Sequence, residues 1–237
     1  MVKISDFMKK YFLSAVSAFV FVAAMSAASY PTVWLAGDGW MAQRDSALTE
    51  VRGWGQAFSQ YVDANVAIQN EAKAGRSTRS YCQDGRWAEL LSKAQKKDVV
   101  LIQFGSEDLH QADTASFSSI AVFEENLMTM VQEAQKKHLT VILITPVAQC
   151  FFKDGIFCPR YGAYPEAIRR VAKRMNVPVL DLELETSGWM TRLGETESQN
   201  FFVEGLLNQD GANEVARIVA RMIQEHKVKP LNKWVIL

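Results

Sequence analysis

Five short apolar runs punctuate this chain, over residues 33–36, 66–68, 99–104, 141–144 and 177–180. Between and after them lie segments with helical spacing, over residues 54–61, 86–94, 123–134, 167–175 and 212–223. In the third of the runs nearly every position is apolar, as a strand buried on both faces of a parallel sheet requires. The closing helical segment puts Val215, Ile218, Val219 and Met222 on one face, and residues 86–94 do the same with Trp87, Leu90, Leu91 and Ala94. Strands alternating with helices at this pitch imply βαβ units and right-handed crossovers. The predicted fold is therefore α/β, a three-layer α/β/α sandwich with a parallel doubly wound sheet. No repeat, low-complexity tract or linker interrupts the pattern, so residues 29–237 are expected to form a single domain.

The N-terminus has another logic. Lys9 and Lys10 precede an apolar run over residues 11–25, which exits through Ser26, Ala27, Ala28 and Ser29. A positive start, a short apolar stretch and a small-residue exit describe a secretory signal peptide, here residues 1–28 with cleavage near Ala28. A membrane anchor would need about 20 apolar residues, more than this run has. The mature chain is expected to be secreted or periplasmic and free of the membrane. In that oxidising setting Cys150 and Cys158 are expected to pair. If Lys153, Asp154 and Gly155 form the loop of a hairpin, the two cysteines fall opposite each other. Cys82 is left over and reads as a buried structural thiol.

The 26 basic and 26 acidic residues balance, so no basic excess points to a nucleic-acid partner. The turn Gly37-Asp38-Gly39-Trp40-Met41-Ala42 lacks the third glycine of a nucleotide-binding loop, and no cofactor is implied.

In a doubly wound sheet, ligands bind beyond the carboxyl ends of the strands. The loops there carry six short blocks in order: Leu35-Ala36-Gly37-Asp38, Gly53-Trp54-Gly55, Ala74-Gly75-Arg76-Ser77-Thr78-Arg79-Ser80, Gly85-Arg86, Phe104-Gly105 with Asp108, and Ile144-Thr145-Pro146-Val147-Ala148. Together they resemble the SGNH (GDSL-like) hydrolases, within them the rhamnogalacturonan acetylesterase-like branch. The resemblance implies acyl transfer by a serine, a histidine near the last helix and an aspartate three residues before that histidine. It also implies an oxyanion hole built from the serine N–H, a glycine N–H and an asparagine amide.

Carried over position by position, the serine falls on Gly39 and the asparagine on Glu107, with Ser106 just before it. Aligning the final block through Gly211-Ala212 puts the histidine at Leu206 and its aspartate at Val203. Only Gly75 keeps its role. The chain is therefore expected to be a catalytically inactive pseudoenzyme, with a polysaccharide or small glycan as its partner. The alternative is a working hydrolase using Glu107, Asp108 or His110 instead. The carboxylates of Asp38, Glu107 and Asp108 are read either as ion-paired with Arg76 and Arg79 or as a site for a metal ion or sugar hydroxyls. Trp40 is read either as a sugar-stacking platform or as a residue packed over the strand end. His138 and His226 are expected at helix ends.

Overall fold

The computed structural model describes residues 31–237; the signal-peptide reading of residues 1–28 lies outside them. In chain order the strands are β1 (Thr32–Gly37), β2 (Ala67–Asn70), β3 (Val99–Gln103), β4 (Thr140–Ile144), β5 (Phe152–Lys153), β6 (Ile156–Phe157), β7 (Val179–Leu180), β8 (Phe202–Val203) and β9 (Leu206–Leu207). The α-helices are α1 (Trp54–Ala57), α2 (Thr78–Gln83), α3 (Arg86–Lys93), α4 (Ile120–Lys136), α5 (Tyr164–Met175), α6 (Leu182–Gln199) and α7 (Gln209–Glu225).

Five strands form a parallel sheet in the order β2-β1-β3-β4-β7. Side chains alternate between its two faces with period two. Val33, Leu35, Val99, Leu101, Ile142 and Ile144 enter one apolar cluster, which Trp54, Phe58 and the buried faces of α6 and α7 complete. Trp34, Ala36, Val100, Ile102, Val141 and Leu143 enter the other, covered by α3, α4 and α5. The three-layer doubly wound arrangement read from the sequence is the one observed. Chain reversal between β1 and β3 makes their carboxyl ends a switch point, where a crevice opens.

Local chemistry fixes the ends of the elements. Ser119 caps α4 by accepting from the Val122 N–H, and Asn208 caps α7 by accepting from the Gly211 N–H at 2.9 Å. Asp98 ties the amino ends of the central strands together, accepting from the Thr32 N–H, the Trp34 indole and the Gln95 N–H, each at 2.9 Å.

Two features depart from the sequence reading. Helix α6 has no apolar stripe to announce it: its middle reads Thr186-Ser187-Gly188, and Gly194 breaks it with φ 79°. The Cys150–Cys158 disulfide is not formed, and all three cysteines carry free thiols. The hairpin turn has two residues instead of three, Asp154 (φ 51°) and Gly155 (φ 74°), so Phe152 pairs with Phe157. Phe151 then accepts from the Cys158 N–H and Cys150 falls one place past the register. A one-residue slip turns a side chain to the opposite face. The Phe152 and Phe157 rings, edge to face at 5.6 Å, pack in the observed register. Cys82 packs half-buried against the second cluster, and burial pushes its thiol up to about 11.

Candidate functional site

The loop after β1 is held by backbone contacts that admit only glycine. A Cβ on Gly53 would stand 2.2 Å from the Ala42 carbonyl oxygen, and one on Gly55 would stand 2.5 Å from that of Met41. Their absence lets the start of α1 dock directly on the loop, with the Trp54 N–H donating to the Trp40 carbonyl at 2.9 Å. The Trp54 indole donates to Gln103 Oε1 at 2.8 Å, and Gln103 Nε2 donates to the Thr145 carbonyl. The loops after β1, β3 and β4 are thus joined beneath the crevice.

Asp38 joins the first two loops again. Fully buried, it accepts from the Trp40 N–H at 3.1 Å and from the Ser106 hydroxyl at 2.7 Å. Burial raises its pKa to about 7, the bonds from Ser106 and Trp40 oppose the rise, and the charge of Glu107 adds to it. Asp108 is also buried and serves the start of α2, accepting from the Thr78 hydroxyl at 2.5 Å and from the Thr78 N–H. Burial raises its pKa to about 6, against the pull of Thr78.

Above these supports lies a cavity of about 180 Å³, lined by Gly39, Arg44, Ser106, Glu107, His110 and Leu206, with Trp40, Gln149, Glu204 and Gly205 completing the wall. Three of the four positions at which the family's catalytic side chain is replaced therefore meet in one hollow. The fourth, Val203, stands directly opposite Leu206 as its register partner, across the turn Glu204–Gly205. Residues directly opposite in an antiparallel pair hold their Cβ atoms about 5 Å apart. A separation of three residues in sequence is closed here by a tight turn. Gly75 adopts φ 70° and does not line the cavity, although a Cβ on Gly39 would lie 3.7 Å from the neighbouring Ala74 Cα.

Several sequence readings are corrected. Arg76 pairs with Asp84 and Arg79 reaches the Thr114 carbonyl, so neither neutralises the three carboxylates. Asp38 and Asp108 are enclosed by hydroxyl and amide donors and are closed to a ligand. Among the described residues no group of three or more His, Cys, Asp or Glu side chains is placed to hold a metal ion. Trp40 is 3% exposed and belongs to the core, which removes it as a stacking platform. Glu107 is half-buried and His110 exposed, both on the cavity wall.

Arg44 escaped the sequence reading. Its Nη2 lies 3.0 Å from the point where a Cβ on Gly39 would stand, so the guanidinium covers the space that Gly39 leaves without a side chain. Its Nε is buried without a hydrogen-bond partner, a state that costs about 1–3 kcal/mol for an ordinary polar group. Nothing in the spacing around residue 44 could have revealed this, because the contact depends on how the loop folds back.

The model of the GDSL-like Lipase/Acylhydrolase family matches residues 35–205. A rhamnogalacturonan acetylesterase of Bacillus subtilis (strain 168) is 31% identical over 210 residues, covering 81% of this chain and 89% of its own. Among solved structures, the YxiM protein of Bacillus subtilis superposes with a TM-score of 0.77 at 23% identity, over 84% of this chain and 58% of that one. An acetylxylan esterase from Geobacillus stearothermophilus superposes with a TM-score of 0.62 at 16% identity, over 87% of this chain and all of that one, 100%. At those identities the two superpositions speak to the shared fold.

Proposed function

Since this chain belongs to the GDSL-like lipase/acylhydrolase family, we propose that it is an exported carbohydrate-binding member that does not cleave esters by the family's serine route. The observation that carries the reading is the cavity floor: Gly39 offers no nucleophile, and the Arg44 guanidinium stands over it. Arginine keeps its proton throughout the accessible pH range and cannot serve as a base. Leu206, where the resemblance puts the base, has no proton-accepting atom, and an ionised Glu107 repels the oxyanion that an amide would stabilise. Loss of one oxyanion donor costs roughly a hundred- to a thousandfold in rate, and loss of triad members leaves about a thousandfold over water, effects that do not simply add. The carbohydrate partner follows from the likeness to a rhamnogalacturonan acetylesterase, and export from the signal-peptide pattern over residues 1–28.

The test sets the purified chain against 4-nitrophenyl acetate and acetylated pectin, beside affinity electrophoresis in a panel of polysaccharides. Hydrolysis at the level of a mock preparation, with retardation by at least one glycan, is the expected result. Hydrolysis absent from the mock and abolished by Gly75→Ala or Glu107→Ala would overturn the reading.

A second reading, hydrolysis by replacement groups, has one observation in its favour. The Ser106 hydroxyl borders the cavity and donates to Asp38, whose pKa near 7 suits a proton acceptor at neutral pH. His110 and Glu107 share that wall, whereas Asp108 is engaged by Thr78. Labelling of Ser106 by a fluorophosphonate, lost in Ser106→Ala, would favour this second reading.

A further inference from the structure

Resting on the carbohydrate-binding reading and deepening it, we infer that Arg44 makes the emptied nucleophile position a site for a carboxylate monoanion. Arginine meets a carboxylate best along an edge that presents two parallel N–H donors, such as Nε and Nη2. Here Nε is buried without a partner, and Nη2 stands over Gly39 in the space that a side chain there would need. Arg44 makes no ion pair among the described residues, although Glu107 and Glu204 share its cavity. Nor does its guanidinium donate to any carbonyl or side-chain oxygen found there: the Gln56 amide bonds to its backbone carbonyl instead. No group among the described residues uses the Nε donor, so a shift of the guanidinium toward an entering carboxylate would give that donor an acceptor.

The surroundings narrow the ligand further. Arg44 is also a wall of a second, larger cavity of about 570 Å³, which Arg52, Gln56 and Gln209 help to line. Arg52 is tethered there by two donations from Nη1, to the Thr49 carbonyl at 2.5 Å and the Val51 carbonyl at 2.7 Å. Amide side chains and a fixed guanidinium suit a hydroxyl-rich body, while the smaller hollow over Gly39 suits its carboxylate. Glu107 and Glu204 work against any anion and about twice as strongly against a doubly charged one, so sulfate and hydrogen phosphate are disfavoured relative to a carboxylate. The same chemistry is offered by a free small acid and by an acid carried on a sugar ring.

Isothermal titration separates these sources, with acetate, D-galacturonate and D-glucuronate as probes beside galactose, glucose and phosphate. Acids are expected to bind and their neutral parents to bind at least tenfold more weakly. Arg44→Gln is expected to weaken acid binding at least tenfold. Arg44→Lys, a point charge without the fork, is expected to fall between. Glu107→Gln is expected to tighten acid binding a few-fold by removing a repulsive charge. Uronate binding tighter than acetate assigns the carboxylate to a sugar; the reverse order assigns it to a free acid.

Neutral sugars that bind as well as uronates, unaffected by Arg44→Gln, would overturn the anion site and leave the carbohydrate reading standing. Acetate binding through Arg44 with no saccharide bound would uphold the anion site and overturn the carbohydrate reading. Silence from every probe would overturn both. Should Arg44→Gln fail to fold, the lysine variant and Glu107→Gln decide the matter, since one must weaken and the other strengthen acid binding.

Discussion

Replacing Asp38 with asparagine should flatten the dependence of stability on pH. In the native protein this carboxyl is fully buried and titrates near 7, against 3.8 for an ordinary aspartate. Between those two values the folded chain binds the proton more tightly than the unfolded chain does. Stability therefore falls as pH rises through the interval, and the penalty is fully in force only above 7. About three pH units at roughly 1.4 kcal/mol each give a loss on the order of 4 kcal/mol between pH 4 and pH 8. Asparagine keeps an acceptor for the Trp40 N–H and cannot ionise, so it adds a constant offset in place of a slope. Asp108 contributes in the same direction, its pKa raised to about 6, but its share is common to both proteins and cancels in the difference. Urea unfolding at half-unit steps from pH 4.5 to 8 would measure the slopes. The wild type is expected to lose roughly 3–4 kcal/mol more than Asp38→Asn across that range. Parallel curves would mean that Asp38 is ionised throughout, and the account of its burial would be wrong.

Three further outcomes follow from packing and register. Gly53→Ala should cost about 3 kcal/mol or more, because both atoms nearest the added Cβ, the Ala42 oxygen at 2.2 Å and the Met41 carbonyl carbon at 2.6 Å, are backbone; calorimetry would show it as a lowered midpoint. Asp98→Ala leaves the buried Trp34 indole without its acceptor and should lower stability by about 2–3 kcal/mol, or roughly 5–10 °C in Tm. Gly39→Ser alone should restore no esterase activity, since only the flexible end of Arg44 has to move and no base is supplied. Adding Val203→Asp and Leu206→His places orienter and base on register partners, and 4-nitrophenyl acetate turnover should then rise above that of the single variant. A folded triple variant no faster than Gly39→Ser would show that the hairpin does not hold that geometry.

The sheet was legible because β1, β3 and β4 bury both faces and so carry apolar residues at nearly every position. Strand β2 lies at the edge, and it begins one residue after the start of the apolar run over residues 66–68 and ends two residues past its end. Its burial alternates, and its last residue, Asn70, spends its side chain on the Met41 carbonyl. Helix α6 was illegible for want of an apolar stripe. In the site, Gly39, Glu107 and Leu206 were found through resemblance and do share a cavity. The charge pairing is not legible because proximity in sequence does not reveal which carboxylates are buried: Arg76 turns to Asp84, while Asp38 and Asp108 take hydroxyl and amide donors. Arg44 acts by folding back over a glycine, and no local pattern encodes that.

The glycine contacts at residues 53 and 55 bear on the speed of binding. They press backbone against backbone, and the Ser106 hydroxyl holds Asp38 from the neighbouring loop, so the path of the chain from Asp38 to Ala42 is set by the protein's own contacts without help from any occupant. A ligand arriving over Gly39 meets a floor already in its final form and needs no loop to close before contact. Little chain entropy is then lost on association. Encounter is then governed by diffusion and orientation, with no conformational change to slow it. Differences among ligands should accordingly appear in how long each one stays.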